Sequence, residues 1–296
     1  MDPPTASSSL IQEDAPHVDD AFAESMGFVT TYLRAVESAR DDRIVNDPFA
    51  GPLTKKHKLK ITELMKGLSS KRQLHSRPED FIAFRTRYLD EAISQRNPQI
   101  LQIVILGVGL DARAYRLESL RGCHVLEVDQ AQDIFDHKTQ VMKELSAPLI
   151  AQKVDYIVSD LAQSGLENSL VSCGFDPTVP TFWALEGLIP YIDRAGILEL
   201  LKVIDHVSAP GSELWADIPG QFVANSDEWG KRAMKHGEDD PLNGVLSEIK
   251  WALQVQASLG VAGDHFGRQW MPMLSPKTKQ KVPFFLVVGK KPASDN

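Results

Sequence analysis

Residues 105–117, ILGVGLDARAYRL, decide how this chain is read. An apolar strand runs into Gly107-Val108-Gly109, and an acid and two arginines follow at once on a predicted helix. Two glycines at the end of a strand let the backbone turn tightly and approach a ligand that any Cβ would obstruct. The helix, predicted to start near Asp111, turns its free N–H groups toward that ligand.

In the next predicted strand, CHVLEVD, Glu127 and Asp129 lie 18 and 20 residues beyond Gly109. An acid at that distance accepts hydrogen bonds from the hydroxyls of a ribose. Glycine turn and acid together point to an adenosine-type cofactor. Read strictly, Gly107-x-Gly109-x-x-Ala112 also satisfies the dinucleotide fingerprint, so a nicotinamide cofactor stays open at this point. Two features weigh against it: the turn comes only after about 100 residues, and no Tyr-x-x-x-Lys pair occurs.

Outward from the turn, strands and helices alternate. QILQIVILG, CHVLEVD, DYIVSD, PTFWALEG and SELWADIP read as five strands with helical patterns between most of them, which predicts a parallel, doubly wound α/β sheet. KVPFFLVVG near residue 285 reads as a last strand, with RQWMPML as its partner. Before the first strand, apolar residues recur at helical spacing over 19–40, near 58–68 and over 79–96. We therefore expect a disordered tail at 1–18 and a single domain at 19–296. Its parts are a helical cap (19–96), a cofactor-binding core (97–219), a lid insertion (220–263) with a helix near 242–259, and C-terminal strands (264–296).

The composition narrows the function classes. Of the 296 residues, 43% are hydrophobic and 24% charged, ample for a core. A net charge of −8 disfavours nucleic acid and anionic membranes as partners, and basic clusters such as Lys55 to Lys58 and Lys277 to Lys281 read as solvated surface. Two cysteines make neither a disulfide framework nor a thiolate cage, which fits a reduced, cytoplasmic setting. No apolar run reaches the ~18 residues of a membrane span. His124, His206 and His265 lack paired metal spacing, so no metal is expected.

The run LGVGLDARAYRL closely resembles the first motif of the leucine carboxyl methyltransferase family, which binds S-adenosylmethionine. Four further stretches match in order: AVESARDDRIVNDPFA, FRTRYLDEAI, VLEVDQ and FWALEGLIPYI. The first of these is similar to the N-terminal motif of the family's bacterial and fungal branch. The resemblance implies a Rossmann-like class I methyltransferase sheet and assigns roles to residues. Gly107, Gly109 and Asp111 would line the methionine part of the cofactor, and Arg85 would pair with its carboxylate. Asp129, with Glu127 as near rival, would take the ribose. Asp160 and Leu161 would edge the adenine, and Glu186 would contact the amino group.

Methyl transfer from a sulfonium is an in-line displacement, and a carboxylate nucleophile, already ionised at pH 7, needs no base. The expected function is therefore S-adenosylmethionine-dependent O-methylation of a small-molecule acid such as a secondary metabolite. His265 is the one candidate base, for a phenol or enol acceptor. Trp229, Trp251, Phe266 and Trp270 are candidate pocket walls, with core packing the competing reading, and Arg113 and Arg116 read as structural or solvated. Three alternatives stand beside this: a phosphatase C-terminal leucine carboxyl methyltransferase, an NAD(P)-dependent reductase, and a cofactor-bound cyclase or binding protein that transfers no methyl.

Overall fold

The apolar run Gln102–Leu106 forms strand β1, and all five of its residues are buried. It pairs in parallel with β2 (His124–Asp129) on one side and β4 (Thr181–Leu185) on the other. β3 (Lys153–Val158) extends the sheet beyond β2, and β5 (Glu213–Pro219) extends it beyond β4. The structure is a computed structural model that describes residues 18–69, 77–225, 234–275 and 277–293, with backbone alone for 18–24 and 67–69. The tail expected at 1–18 lies outside the described residues except for Val18, which opens the first helix.

Strand alternation distributes the core over both faces. Val104 and Leu106 pack on one face with Leu126, Val128, Trp183 and Leu185, under α7 (Leu166–Ser172) and α8 (Arg194–Val207). Ile103 and Ile105 pack on the other with Val125, Phe182 and Trp215, under Leu89 and Ile93 of α4 (Pro78–Gln95) and Phe135 of α6 (Gln132–Glu144). α8 shows why such helices form where they do. Asp193 caps its start by accepting the Gly196 N–H at 2.8 Å, and Ile197, Leu200, Leu201 and Ile204 make one apolar stripe.

Ahead of the sheet lie α1 (Val18–Ser38), α2 (Ala50–Thr54), α3 (Lys58–Ser69) and α4. Val29 and Leu33 of α1 pack against Ile61 of α3 and Ile82 of α4, so these helices form one cap. Later come the one-turn α5 (Arg113–Arg116) and α9 (Gln221–Ala224).

Beyond β5 one expectation fails and another holds only in part. The helix expected near 242–259 is a 3₁₀ turn, Val245–Ile249, followed by strand β6 (Ala252–Ser258). Lys250, in the left-handed region at φ 56°, ends the turn and sends the chain into the sheet. β6 finds its hydrogen-bond partner in β9 (Phe284–Lys290), so the second half of the expected lid insertion is an edge of the main sheet. RQWMPML, expected beside the last strand, divides: its first three residues are β8 (Arg268–Trp270), which forms a separate hairpin with β7 (Gly263–His265). Its end, Met273 and Leu274, does meet the start of the expected strand KVPFFLVVG: the Met273 carbonyl accepts the Val282 N–H at 2.8 Å, and Leu274 forms an antiparallel bridge with Lys281.

Among the described residues the sheet has seven strands in the order β3-β2-β1-β4-β5-β9-β6, with β9 antiparallel to both neighbours. The order reverses between β1 and β4, so a crevice opens at their carboxyl ends, where doubly wound sheets hold ligands. No helix among the described residues is long and apolar enough to cross a membrane.

Candidate functional site

A cavity of about 940 Å³ fills this crevice. Its floor is the Gly107–Asp111 turn after β1, and its walls are Asp129 to Ala131 after β2, Ser159 to Ala162 after β3 and Glu186 to Leu188 after β4. Helix α1 closes it from above with Met26, Gly27, Thr30, Thr31 and Arg34. The expected cofactor residues Arg85, Gly107, Gly109, Asp111, Asp129, Asp160, Leu161 and Glu186 all line it.

The turn requires its glycines for conformation. Gly107 and Gly109 sit at φ +63° and +51°, a region that L side chains rarely adopt. A Cβ on Gly107 would lie 3.0 Å from Leu188 Cδ1, whereas one on Gly109 would meet no atom within 4 Å. The Gly109 N–H donates to Asp129 Oδ2 at 2.8 Å, and the Ala131 N–H donates to Oδ1 at 3.2 Å. Burial pushes the Asp129 carboxyl above its ordinary range, against the pull of those N–H groups. Asp160 is exposed at the rim, where its Oδ1 accepts the Ala162 N–H at 2.8 Å. The helix expected to begin near Asp111 is the single turn α5, starting two residues later.

Glu127 is a correction: it does not line the cavity. It stands two residues, about 6.6 Å, back from the carboxyl end of β2. There its Oε2 meets Nζ of Lys138 on α6 at 2.5 Å, and both side chains are fully buried between β2 and that helix. His265 is a second correction. It lies outside the cavity, with Nδ1 2.8 Å from Tyr88 Oη and its ring against Phe84. The β7–β8 hairpin covers the α4 face that bears Phe84 and Tyr88, while Arg85 points about 100° round the helix into the cavity. Trp270 packs in the same cluster as Phe84, and Phe266 rests on Tyr88. Trp251 belongs to the core of the sheet and donates to Asp205 at 2.7 Å, so these three aromatic residues are packing rather than cavity wall. Trp229 lies outside the described residues.

Below the turn lies an alternating chain of buried charges, most of it not anticipated from sequence. Arg85 Nη1 is 3.5 Å from Asp217 Oδ2, and its Nε is 3.1 Å from Glu186 Oε1. Glu186 Oε2 accepts from Arg113 Nη1 at 2.8 Å, and Arg113 Nε donates to Asp90 Oδ1 at 2.6 Å. Arg113 also pairs with Asp111. Arg116 holds Asp90 with both Nη groups, at 2.7 and 2.9 Å, and its Nε lies 3.9 Å from Asp47. Asp47 is held in turn by Arg34 at 3.1 Å, and Arg34 Nη2 reaches the Leu110 carbonyl of the glycine turn. The chain returns to the cavity where it began. It contains five carboxylates (Asp47, Asp90, Asp111, Glu186, Asp217) and four guanidiniums (Arg34, Arg85, Arg113, Arg116).

Burial works against the ionised form of Glu186, yet the guanidiniums of Arg113, Arg85 and Arg34 outweigh it and hold the carboxyl down at about 2. Burial pushes Asp217 up, against Arg85 and the Gly187 N–H. Tyr191, also on the cavity wall, is pushed up to about 12 by burial. Arg34, Tyr191, Asp217 and Lys235 were not among the expected site residues. Asp217 had a sequence signal: it is a lone acid inside the apolar strand LWADIP.

The arrangement fits a cationic nucleoside ligand. Lining acids (Asp111, Asp129, Asp160, Glu186, Asp193, Glu199) outnumber lining cations (Arg34, Arg85, Lys235). Arg85 Nη2 has no hydrogen-bond partner among the described residues, which leaves donors for an anionic group in the cavity. Among the described residues, no group of three or more His, Cys, Asp or Glu is arranged to hold a metal ion.

Comparison with known proteins adds the family. The profile of the leucine carboxyl methyltransferase family matches residues 27–205. A protein of Mycobacterium avium (strain 104) named "Putative S-adenosyl-L-methionine-dependent methyltransferase" is 35% identical over 250 residues, covering 76% of this chain and 79% of its own. A similarly named protein of Mycolicibacterium smegmatis is 32% identical over 267 residues, covering 82% and 89%. Among solved structures, a methyltransferase-type protein of Thermobifida fusca superposes with a TM-score of 0.55 at 14% identity, over 95% of this chain and 100% of its own. A DUF574 family protein of Streptomyces avermitilis gives 0.54 at 12% identity, over 90% and 97%. At such identities the two structures speak to the fold alone.

Proposed function

The chain belongs to the leucine carboxyl methyltransferase family and is an S-adenosylmethionine-dependent methyltransferase, and from that premise we propose that it methylates a carboxylate oxygen of a small molecule. The choice that the glycine turn left open between a nicotinamide and a sulfonium cofactor thus falls to the sulfonium.

The observation that carries the carboxylate reading is the character of the cavity wall. Among the described residues the lining includes Arg85, Arg34, Lys235 and the phenol of Tyr191, and no histidine. The acid nearest Arg85, Glu186, is bound by two guanidiniums and is a poor proton acceptor at neutral pH. With no histidine on this wall, Glu186 bound by guanidiniums and Asp129 read as the ribose partner, the site suits a nucleophile that arrives ionised.

When bound, S-adenosylmethionine supplies a methyl group on a sulfonium, which an oxygen takes by in-line displacement. The rest falls to the residues of this chain. In our reading Asp129 receives the ribose hydroxyls, while Asp160 and Leu161 edge the adenine. Gly107, Gly109 and Asp111 line the methionine part, Arg85 meets the carboxylate through Nη2, and Glu186 faces the ammonium. The negative surplus of the cavity favours a ligand with a net positive charge. Helix α1 lines the site from above, and its displacement of water around a bound cofactor would strengthen each of these contacts. Rate then comes from holding the acceptor oxygen, methyl carbon and sulfur in line.

The experiment is methyl transfer from radiolabelled cofactor to a panel of carboxylic acids and matched phenols, followed by mild alkali. A methyl ester releases its label as methanol, whereas a methyl ether does not. Label found only in alkali-stable products overturns the carboxylate reading. A phosphatase C-terminal peptide in the same panel tests the protein-directed alternative.

A further inference from the structure

Asp217 is a fully buried acid that does not line the cavity, so it cannot meet the cofactor itself. Burying a carboxylate is costly unless its oxygens are paired, and both of these are engaged. Oδ1 accepts the Gly187 N–H at 2.5 Å, and Oδ2 faces Arg85 Nη1 at 3.5 Å. One side chain thus holds the residues on either side of Glu186 in space: the left-handed turn at Gly187, φ +65°, and the Arg85 guanidinium. The space is tight, since a Cβ on Gly187 would lie 3.2 Å from Arg85 Nη1.

A guanidinium has three faces of donors. On Arg85, Glu186 occupies the Nε side and Asp217 draws Nη1, which leaves Nη2. With two sides fixed in protein, the planar group has one orientation in which Nη2 can address a ligand. We propose that Asp217 is a positioning residue that acts through Arg85 to aim this free edge at the amino-acid end of the cofactor. The inference rests on the reading of Arg85 and Glu186 given above.

The test compares two probes by calorimetry. S-adenosylhomocysteine carries the amino-acid end, whereas 5′-methylthioadenosine has the same nucleoside and sulfur without it. The wild-type protein should prefer the first; equal affinities would overturn the reading of Arg85 and Glu186 themselves. Asp217→Asn retains an acceptor for the Gly187 N–H and removes the charge. It should weaken S-adenosylhomocysteine about tenfold to a hundredfold, the value of a charge-assisted hydrogen bond, and leave methylthioadenosine unchanged.

Equal weakening of both probes would make Asp217 merely structural, and no change in either would dismiss it; both outcomes overturn the proposal while leaving the parent reading intact. If Asp217→Asn fails to fold, the smaller Asp217→Ser serves in its place. A double-mutant cycle closes the argument. In an Arg85→Gln background the further change Asp217→Asn should leave the ratio of the two affinities where it was, and an undiminished effect there would show that Asp217 does not act through Arg85.

Discussion

Arg113 Nη1 lies 2.8 Å from Glu186 Oε2, joining the start of α5 to the end of β4 across 73 residues of chain. The guanidinium also binds Asp90 and Asp111, so one fully buried cation holds three acids together behind the cofactor turn. Expected from sequence to be structural or solvated, it is the most heavily bound arginine of the site.

Removing that cation should be costly. Arg113→Met leaves three buried carboxylates facing one another, and breaking a buried pair in this way costs about 3–5 kcal/mol. Urea unfolding of the variant should show that loss, and Arg113→Lys should recover only part of it, because an ammonium cannot reproduce the fork. A variant as stable as the wild type would refute the role.

Glu186 makes a prediction in pH. Its carboxyl is held at about 2 in the folded protein against an ordinary value of 4.5. Because the folded value is the lower one, the stabilisation is complete above about pH 4.5 and is lost as the pH falls from there toward 2. The difference in unfolding free energy between the wild type and Glu186→Gln should be constant from pH 5 to about 8 and shrink below. A difference that grows on acidification would contradict the assignment.

The two glycines of the turn should separate. Gly107→Ala adds a tight contact with Leu188 to the strain of a positive φ, whereas Gly109→Ala meets only the strain, about 1–2 kcal/mol. Gly109→Val should abolish cofactor binding with an almost unchanged circular dichroism spectrum, since its side chain enters open cavity. Asp129→Ala should weaken cofactor binding by about 1–3 kcal/mol. Normal binding by both of the last two variants would move the ligand elsewhere.

His265 should matter for stability and not for proton transfer. His265→Phe removes the partner of Tyr88 Oη, which lies outside the cavity, so the pH profile of methyl transfer should keep its shape. Burial pushes the His265 imidazole below 6.5, and burial with the neighbouring His137, Lys60 and Lys56 does the same to His57. For a base with a lowered folded value the unfolded chain takes up the proton first. Stability is therefore unaffected above about 6.5 and falls as the pH drops below it. The melting temperature from pH 7.5 to 5 should decline less steeply in the variant; an alkaline limb of activity that vanishes with His265 would restore it as a base.

How much of this was readable beforehand depended on range along the chain. β1 and β4 announce themselves as short apolar runs because both of their faces are buried. β6 did not: in WALQVQAS the Ala, Leu and Gln residues favour helix, and only its partner β9, some thirty residues on, makes it a strand. The site divides in the same way. Gly107, Gly109, Asp129 and Glu186 stand in motifs a few residues long. Asp217 finds Arg85 at a separation of 132 residues, and Arg34 finds Leu110 at 76, so their pairing leaves no local trace. Glu127 stands as a rival to Asp129 in the sequence because position along a strand, relative to the sheet's edge, is hard to judge within two residues.

The placement of β9 has a consequence for synthesis. It is the last strand in chain order, yet it sits inside the sheet, between β5 and β6. As the polypeptide emerges, β1 to β5 can pair while the outer side of β5 waits with its hydrogen-bonding groups unmatched, and β6 has nothing to dock on. Long-range pairing of this kind is slow, and exposed strand edges invite association with other chains. A nascent chain stopped before Phe284 is thus not a shortened enzyme but a sheet with an open flank. Only the arrival of those seven residues turns two incomplete pieces into one.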